Sequence, residues 1–122
     1  MNIVVWLGVG LAGAAGSAAR FLLQAAVDRR LASRFPAGTL AVNLTGTLAL
    51  GILVGAALHG DAYRVGGTGF LGAYTTFSAW MLESHRLADE GDVALAWANI
   101  VVSLGAGLAV AVLGRHIGTA LT

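Results

Sequence analysis

Residues 72–80, Gly-Ala-Tyr-Thr-Thr-Phe-Ser-Ala-Trp, bring hydroxyls, aromatic rings and a glycine together inside a very apolar chain. Backbone that leaves the helix between Gly72 and Thr75, as glycine permits, exposes carbonyl oxygens. At membrane depth such oxygens suit a hard cation such as Na⁺. Phe77 and Trp80 stand three apart and share a helical side. An aromatic ring has a negative face and a positive edge, so rings presented edge-on line a route for a small anion without a full charge to trap it. The competing use of the same rings is packing, or for Trp80 a place in an interfacial aromatic belt.

Other polar residues stand on helical faces. Thr39, Asn43 and Thr47 follow at i, i+4 and i+8. Asn43 is the costly one, because a buried amide must place two donor protons and an acceptor; it serves either an interhelical hydrogen bond or a passing solute. Asn99 and Ser103 repeat the spacing, but the face continues as Gly107 and Ala111, so its polarity fades. Arg20 either snorkels to the interface or faces inward as a cation. Residues 3–27, 37–58 and 93–113 hold no Asp or Glu before Asp28, and a proton-driven cation exporter normally needs such a carboxylate. His59, His85 and His116 fall in separate places and make no ligand set, and cysteine is absent, so neither a catalytic metal centre nor an enzyme is expected.

The elements that must position these residues follow from composition. Apolar residues make up 57% of the 122 and charged residues 11%, against roughly 25% charged in an average soluble domain. This places the chain among integral membrane proteins, as one domain. The net charge of +1 gives no footprint for nucleic acid. Apolar blocks predict four transmembrane helices at about 3–27, 37–58, 63–84 and 93–114. The third is the weakest, with Gly66, Gly67, Gly69 and Gly72 in it, and reads as a helix broken near its middle. A signal-peptide reading of the first block is disfavoured by the missing basic n-region. All seven basic residues are arginine; Arg29, Arg30, Arg34 and Arg86 fall in the first and third loops, against Arg64 and Arg115 on the other side. So small a bias permits insertion in both orientations. Gly51 and Gly55 form a GxxxG pair, which serves packing within a subunit or between subunits.

Several stretches together resemble the Fluc (CrcB) fluoride channels over nearly the whole length. Residues 13–20, Gly-Ala-Ala-Gly-Ser-Ala-Ala-Arg, resemble that family's glycine-rich first helix ending in arginine. Residues 36–43, Pro-Ala-Gly-Thr-Leu-Ala-Val-Asn, resemble the start of its second helix. Residues 69–78, Gly-Phe-Leu-Gly-Ala-Tyr-Thr-Thr-Phe-Ser, with Glu83 beyond, resemble its third-helix signature, and Trp97, Asn99 and Gly114 fit its spacing. The resemblance implies an antiparallel dimer of four-helix subunits in the plasma (inner) membrane, with two narrow pores that export cytoplasmic fluoride passively and lower its toxicity. It implies a structural Na⁺ at the dimer interface, held by the backbone carbonyls of Gly72 and Thr75. It makes Asn43 a pore donor, Ser78 a pore hydroxyl and Phe77 an edge-on pore aromatic, with Arg20 and Thr39 toward the vestibule.

The chain departs from the family at three places. A second pore phenylalanine is here Trp80, a fourth-helix hydroxyl track is reduced to Ser103 with Gly107 and Ala111, and a Gly-Gly pair is Gly72-Ala73. These departures keep open a non-conducting or half-functional subunit of a heterodimer with a paralogous chain, beside the homodimer. A small multidrug-type exporter, also a four-helix antiparallel dimer, is disfavoured by the missing carboxylate in residues 3–27.

Overall fold

The computed structural model describes residues 2–122, which are helical throughout apart from short connections. Helix α1, Ile3–Leu31, starts where the Asn2 side chain accepts the Val5 N–H at 3.0 Å. It ends with Arg29 and Arg30 in its last turn, where cations oppose the negative end of the helix. Pro36 precedes α2, Ala37–Gly55, a position where its missing N–H costs nothing. The Asp28 carboxylate of α1 accepts the Gly38 N–H at 2.8 Å and so caps α2 from a neighbouring helix.

Residues 60–89 form a composite rod. Helix α3, Gly60–Tyr63, runs into a π-helical stretch, Arg64–Leu71, and then into the short helix α4, Gly72–Tyr74. Thr75 and Thr76 are extended, at ψ 156° and 122°. Helix α5, Phe77–Asp89, restarts with the Thr76 hydroxyl accepting the Ala79 N–H at 3.1 Å. The part before the break packs on α1, and α5 packs on α6, Val93–Ala120. The rod therefore crosses the molecule and changes neighbours at its two extended residues.

Helices α2 and α6 pack through glycine. A Cβ on Gly51 would stand 2.8 Å from the Ala111 carbonyl oxygen, and one on Gly114 2.5 Å from that of Leu48. Gly55 and Gly118 meet the opposite backbone still more closely. The Gly51/Gly55 pair thus answers Gly114/Gly118 within one subunit. Between α1, α2 and the rod, Val42, Leu71 and Tyr74 form a small core with Leu23, Leu53 and Phe70 around it.

Helices α1, α2 and α6 are long and apolar enough to cross a membrane. Their outward faces are apolar too: Trp6, Leu11, Phe21, Trp97, Val101 and Leu108 are all exposed. In water such an arrangement forgoes the burial that drives folding; in a bilayer it does not. At one end Arg34, before α2, pairs with Glu90 at 3.2 Å and Asp92 at 3.1 Å, so the 32–36 and 90–92 connections lie on the same side.

Candidate functional site

Where the rod breaks, α2, α5 and α6 leave a cleft of about 370 Å³. Asn43 and Thr47 of α2, Thr75 and Thr76 at the break, Phe77 and Trp80 of α5, and Ser103, Gly107 and Ala111 of α6 all line it, with leucines between them. Among the described residues no ionisable side chain lines it. Asn43, the Phe77–Trp80 pair and Ser103, from three separate stretches of the sequence, thus meet in one place.

Asn43 is bonded to the break from both sides of its amide. Its Oδ1 accepts the Thr76 N–H at 2.8 Å, and its Nδ2 donates to the Thr76 carbonyl at 2.9 Å. One side chain therefore satisfies both backbone groups of a residue that has left the helix. The second Nδ2 proton has no partner in the protein among the described residues, and Asn43 lines the cleft.

The aromatic wall is set by a second network. Phe77 and Trp80 stand 5.7 Å apart between centroids with their planes at 88°, an edge-to-face pair. Phe77 is 70% exposed. The Trp80 indole N–H donates to the Asn99 carbonyl at 3.1 Å. The buried Asn99 amide donates in turn to the Ser84 hydroxyl at 2.8 Å, and the Ser103 hydroxyl reaches Asn99 Oδ1 at 3.4 Å. Trp80 thus offers the cleft its ring, while its one donor is committed to α6.

Other residues singled out in the sequence lie elsewhere. The Thr39 hydroxyl donates to Glu83 away from the cleft, in a short bond between α2 and α5. Beyond it, about 290 Å³ of polar space lies among Asp28, Arg34, Glu83, Arg86 and Glu90. Ser78 is exposed outside the cleft lining, with its hydroxyl 3.3 Å from that of Thr76. Arg20 is half-buried on α1, and its Nε is buried with no partner among the described residues.

Gly72 is helical, with φ −61° and ψ −36°, so the chain leaves the helix three residues later. The reason is local bonding: the Thr75 N–H and hydroxyl both donate to the Leu71 carbonyl at 3.0 Å, which holds α4 closed up to Thr75. The next donor in the ladder, the Thr76 N–H, turns to Asn43, and the Gly72 carbonyl loses its usual helical partner. Gly72 is also exposed. A carbonyl freed in this way, beside that of Thr75 at the break, is a hard oxygen donor of the type that suits an alkali cation.

Tyr74 and Thr45 escaped the sequence reading. Thr45 bonds back to the Ala41 carbonyl at 2.8 Å and stands 2.8 Å from the Tyr74 hydroxyl, which pins α4 to α2 two residues beyond Asn43. Thr45 lies off the 39–43–47 stripe, so only a hydroxyl two residues from Asn43 hinted at it.

A family model described as CrcB-like protein, Camphor Resistance (CrcB), matches residues 7–115. The chain is 54% identical over 117 residues to the fluoride-specific ion channel FluC 2 of Mycobacterium tuberculosis, covering 96% of this chain and 93% of that protein. It is 45% identical over 119 residues to the fluoride-specific ion channel FluC 1 of Symbiobacterium thermophilum, covering 93% and 96%. It is 44% identical over 100 residues to the fluoride-specific ion channel FluC 2 of Haloarcula marismortui, covering 82% of each.

Proposed function

The chain belongs to the CrcB family, and from that membership we propose that it is a multi-pass membrane channel through which cytoplasmic fluoride leaves the cell passively. The observation that carries the reading is the cleft at the break, which offers two aromatic rings and the spare amide proton of Asn43, and no ionisable side chain among the described residues. Such a wall gives a small hydrogen-bonding anion a few donors and gives chloride, a weaker acceptor, little. Neutral HF enters a cell and dissociates there, and the membrane potential then drives the anion outward by about 2.3 kcal/mol per 100 mV.

In this reading residues 60–89 are the third of four spans, broken at Thr75 and Thr76, and the inner membrane is the protein's site. The working unit is an antiparallel dimer. A single chain presents the carbonyls of Gly72 and Thr75, and a two-fold partner doubles them into a four-oxygen set for a structural Na⁺. The cation supplies positive charge at the break; the chain's own part is to keep two carbonyls free of helical donors. Asn43, Phe77, Trp80 and Ser103 form the anion wall; Ser78, Thr39 and Arg20 stand outside it and in this reading serve the approach to it.

A second reading has its own observation. Trp80 has its N–H committed to Asn99, and positions 107 and 111 bring no hydroxyl to the cleft. That favours a subunit with a reduced pore, paired with a paralogous chain that carries the complete one.

Reconstituted alone into liposomes, the wild-type chain is expected to release fluoride and retain chloride when valinomycin clamps a K⁺ gradient. Phe77→Ile and Asn43→Asp are expected to stop the release. Unchanged release in both variants would remove the pore assignment. Release only from a mixture with a paralogous subunit would select the paired form.

A further inference from the structure

The carbonyl of Thr75 and the N–H of Thr76 belong to one peptide unit. In a trans peptide these two groups point in opposite directions. The Thr76 N–H donates to Asn43 Oδ1 at 2.8 Å, so it points toward α2 and the cleft. The Thr75 carbonyl must then point away from Asn43. A second bond, from Asn43 Nδ2 to the Thr76 carbonyl at 2.9 Å, fixes the following peptide unit as well. No other side chain bonds the Thr76 backbone, among the described residues. The same Thr76 N–H, by turning to Asn43, leaves the Gly72 carbonyl without its helical donor.

Building on the channel reading, we propose that Asn43 is the positioning residue of the cation site and links it to the anion cleft. Its two ends do separate work. The acceptor Oδ1 aims the Thr75 carbonyl outward and frees that of Gly72. The spare Nδ2 proton faces the anion. The Thr75–Thr76 peptide and the Asn43 amide form one chain of hydrogen-bonded amides. Positive charge at the Thr75 carbonyl makes the Thr76 N–H a stronger donor to Oδ1, and that in turn makes Nδ2 a stronger donor on the cleft side. Cation and anion binding therefore reinforce each other, and by linkage the effect is reciprocal. Each site keeps its own ligands, and the linkage needs no helix to move.

The atoms can be separated by substitution. Asn43→Leu removes acceptor and donor together. Asn43→Asp keeps an acceptor for the Thr76 N–H in either protonation state. Ionised, it has no proton to give; protonated, its single proton is taken by the Thr76 carbonyl. Neither form leaves a donor for the anion.

The test is the Na⁺-specific rise in unfolding temperature of the detergent-solubilised chain, with K⁺ as the ionic-strength control, read beside fluoride release from liposomes. Wild type is expected to show the Na⁺ effect, and fluoride is expected to lower the Na⁺ concentration needed for it. Asn43→Asp is expected to keep the Na⁺ effect within about threefold of the wild-type midpoint while losing fluoride release and the fluoride effect, since only the acceptor survives. Asn43→Leu is expected to raise the Na⁺ midpoint at least about tenfold, the size of an ordinary coupling. A wild-type Na⁺ midpoint in a folded Asn43→Leu would overturn the positioning role and leave the channel reading intact. If that variant does not fold, loss of the Na⁺ effect in the Asp variant would overturn the role just as well. A wild-type chain with no Na⁺-specific effect would overturn both the cation site and the linkage.

Discussion

The Trp80 indole N–H donates to the Asn99 carbonyl oxygen at 3.1 Å, and this bond holds the bulkiest ring of the cleft against α6. Asn99 is only 2% exposed, so its partners are protein groups. Trp80→Phe removes the donor and shrinks the ring. Stability is expected to fall by about 1 kcal/mol, the usual net worth of one hydrogen bond. Fluoride release is expected to quicken, because the smaller ring widens the cleft beside Phe77. Thermal unfolding in detergent and electrode-monitored release read the two effects separately, and slower release from a fully folded variant would show that the indole itself serves the ion.

Two glycines of α6 should respond in opposite ways to a small side chain. Gly114 has the Leu48 carbonyl oxygen 2.5 Å from the place of its missing Cβ, whereas Gly107 has nothing within 4 Å. Gly114→Ala is expected to cost about 1–3 kcal/mol by forcing α2 and α6 apart. Gly107→Ser is expected to fold normally and to add a hydroxyl to the cleft one turn beyond Ser103. If the thin polar track limits conduction, that variant releases fluoride faster than wild type. Equal release by both proteins would show that the track is not limiting.

The absence of cysteine makes orientation directly measurable. Ser33→Cys and Thr122→Cys place single thiols at exposed sites outside the long helices. With dual insertion, a membrane-impermeant maleimide added to intact cells is expected to label roughly half of the chains at either position. Labelling of nearly all chains at one position and none at the other would exclude a homodimer of opposed subunits and favour pairing with a paralogue.

The sequence made the helical class and the cleft residues legible, because both rest on composition and on spacing along single helices. Asn43 stood out as an unaffordable amide, and Phe77 with Trp80 as a pair on one side. The 39–43–47 stripe was legible as a face but not as three separate duties: Thr39 bonds Glu83, Asn43 holds Thr76, and Thr47 lines the cleft. Those duties depend on what lies opposite, which spacing cannot show. The sequence points to a break between Gly72 and Thr75, with Gly72 the residue of greatest conformational freedom. It falls at Thr75 and Thr76 because Asn43, 33 residues away from Thr76, accepts the N–H that would have continued the helix. The π-helical stretch Arg64–Leu71 left only a cluster of glycines as its trace, and the capture of the Trp80 N–H by Asn99 left none.

The glycine contact between α2 and α6 has a bearing on the cleft. Those helices form two walls of the cleft, and they touch backbone to backbone just beyond it, where Gly51 and Gly114 meet. The contact pins the two walls together at that point. The spacing of these two cleft walls is thus tied to main-chain atoms outside the cleft itself. Lining residues such as Trp80, Gly107 and Ala111 can therefore change in size or polarity without moving the α2–α6 contact.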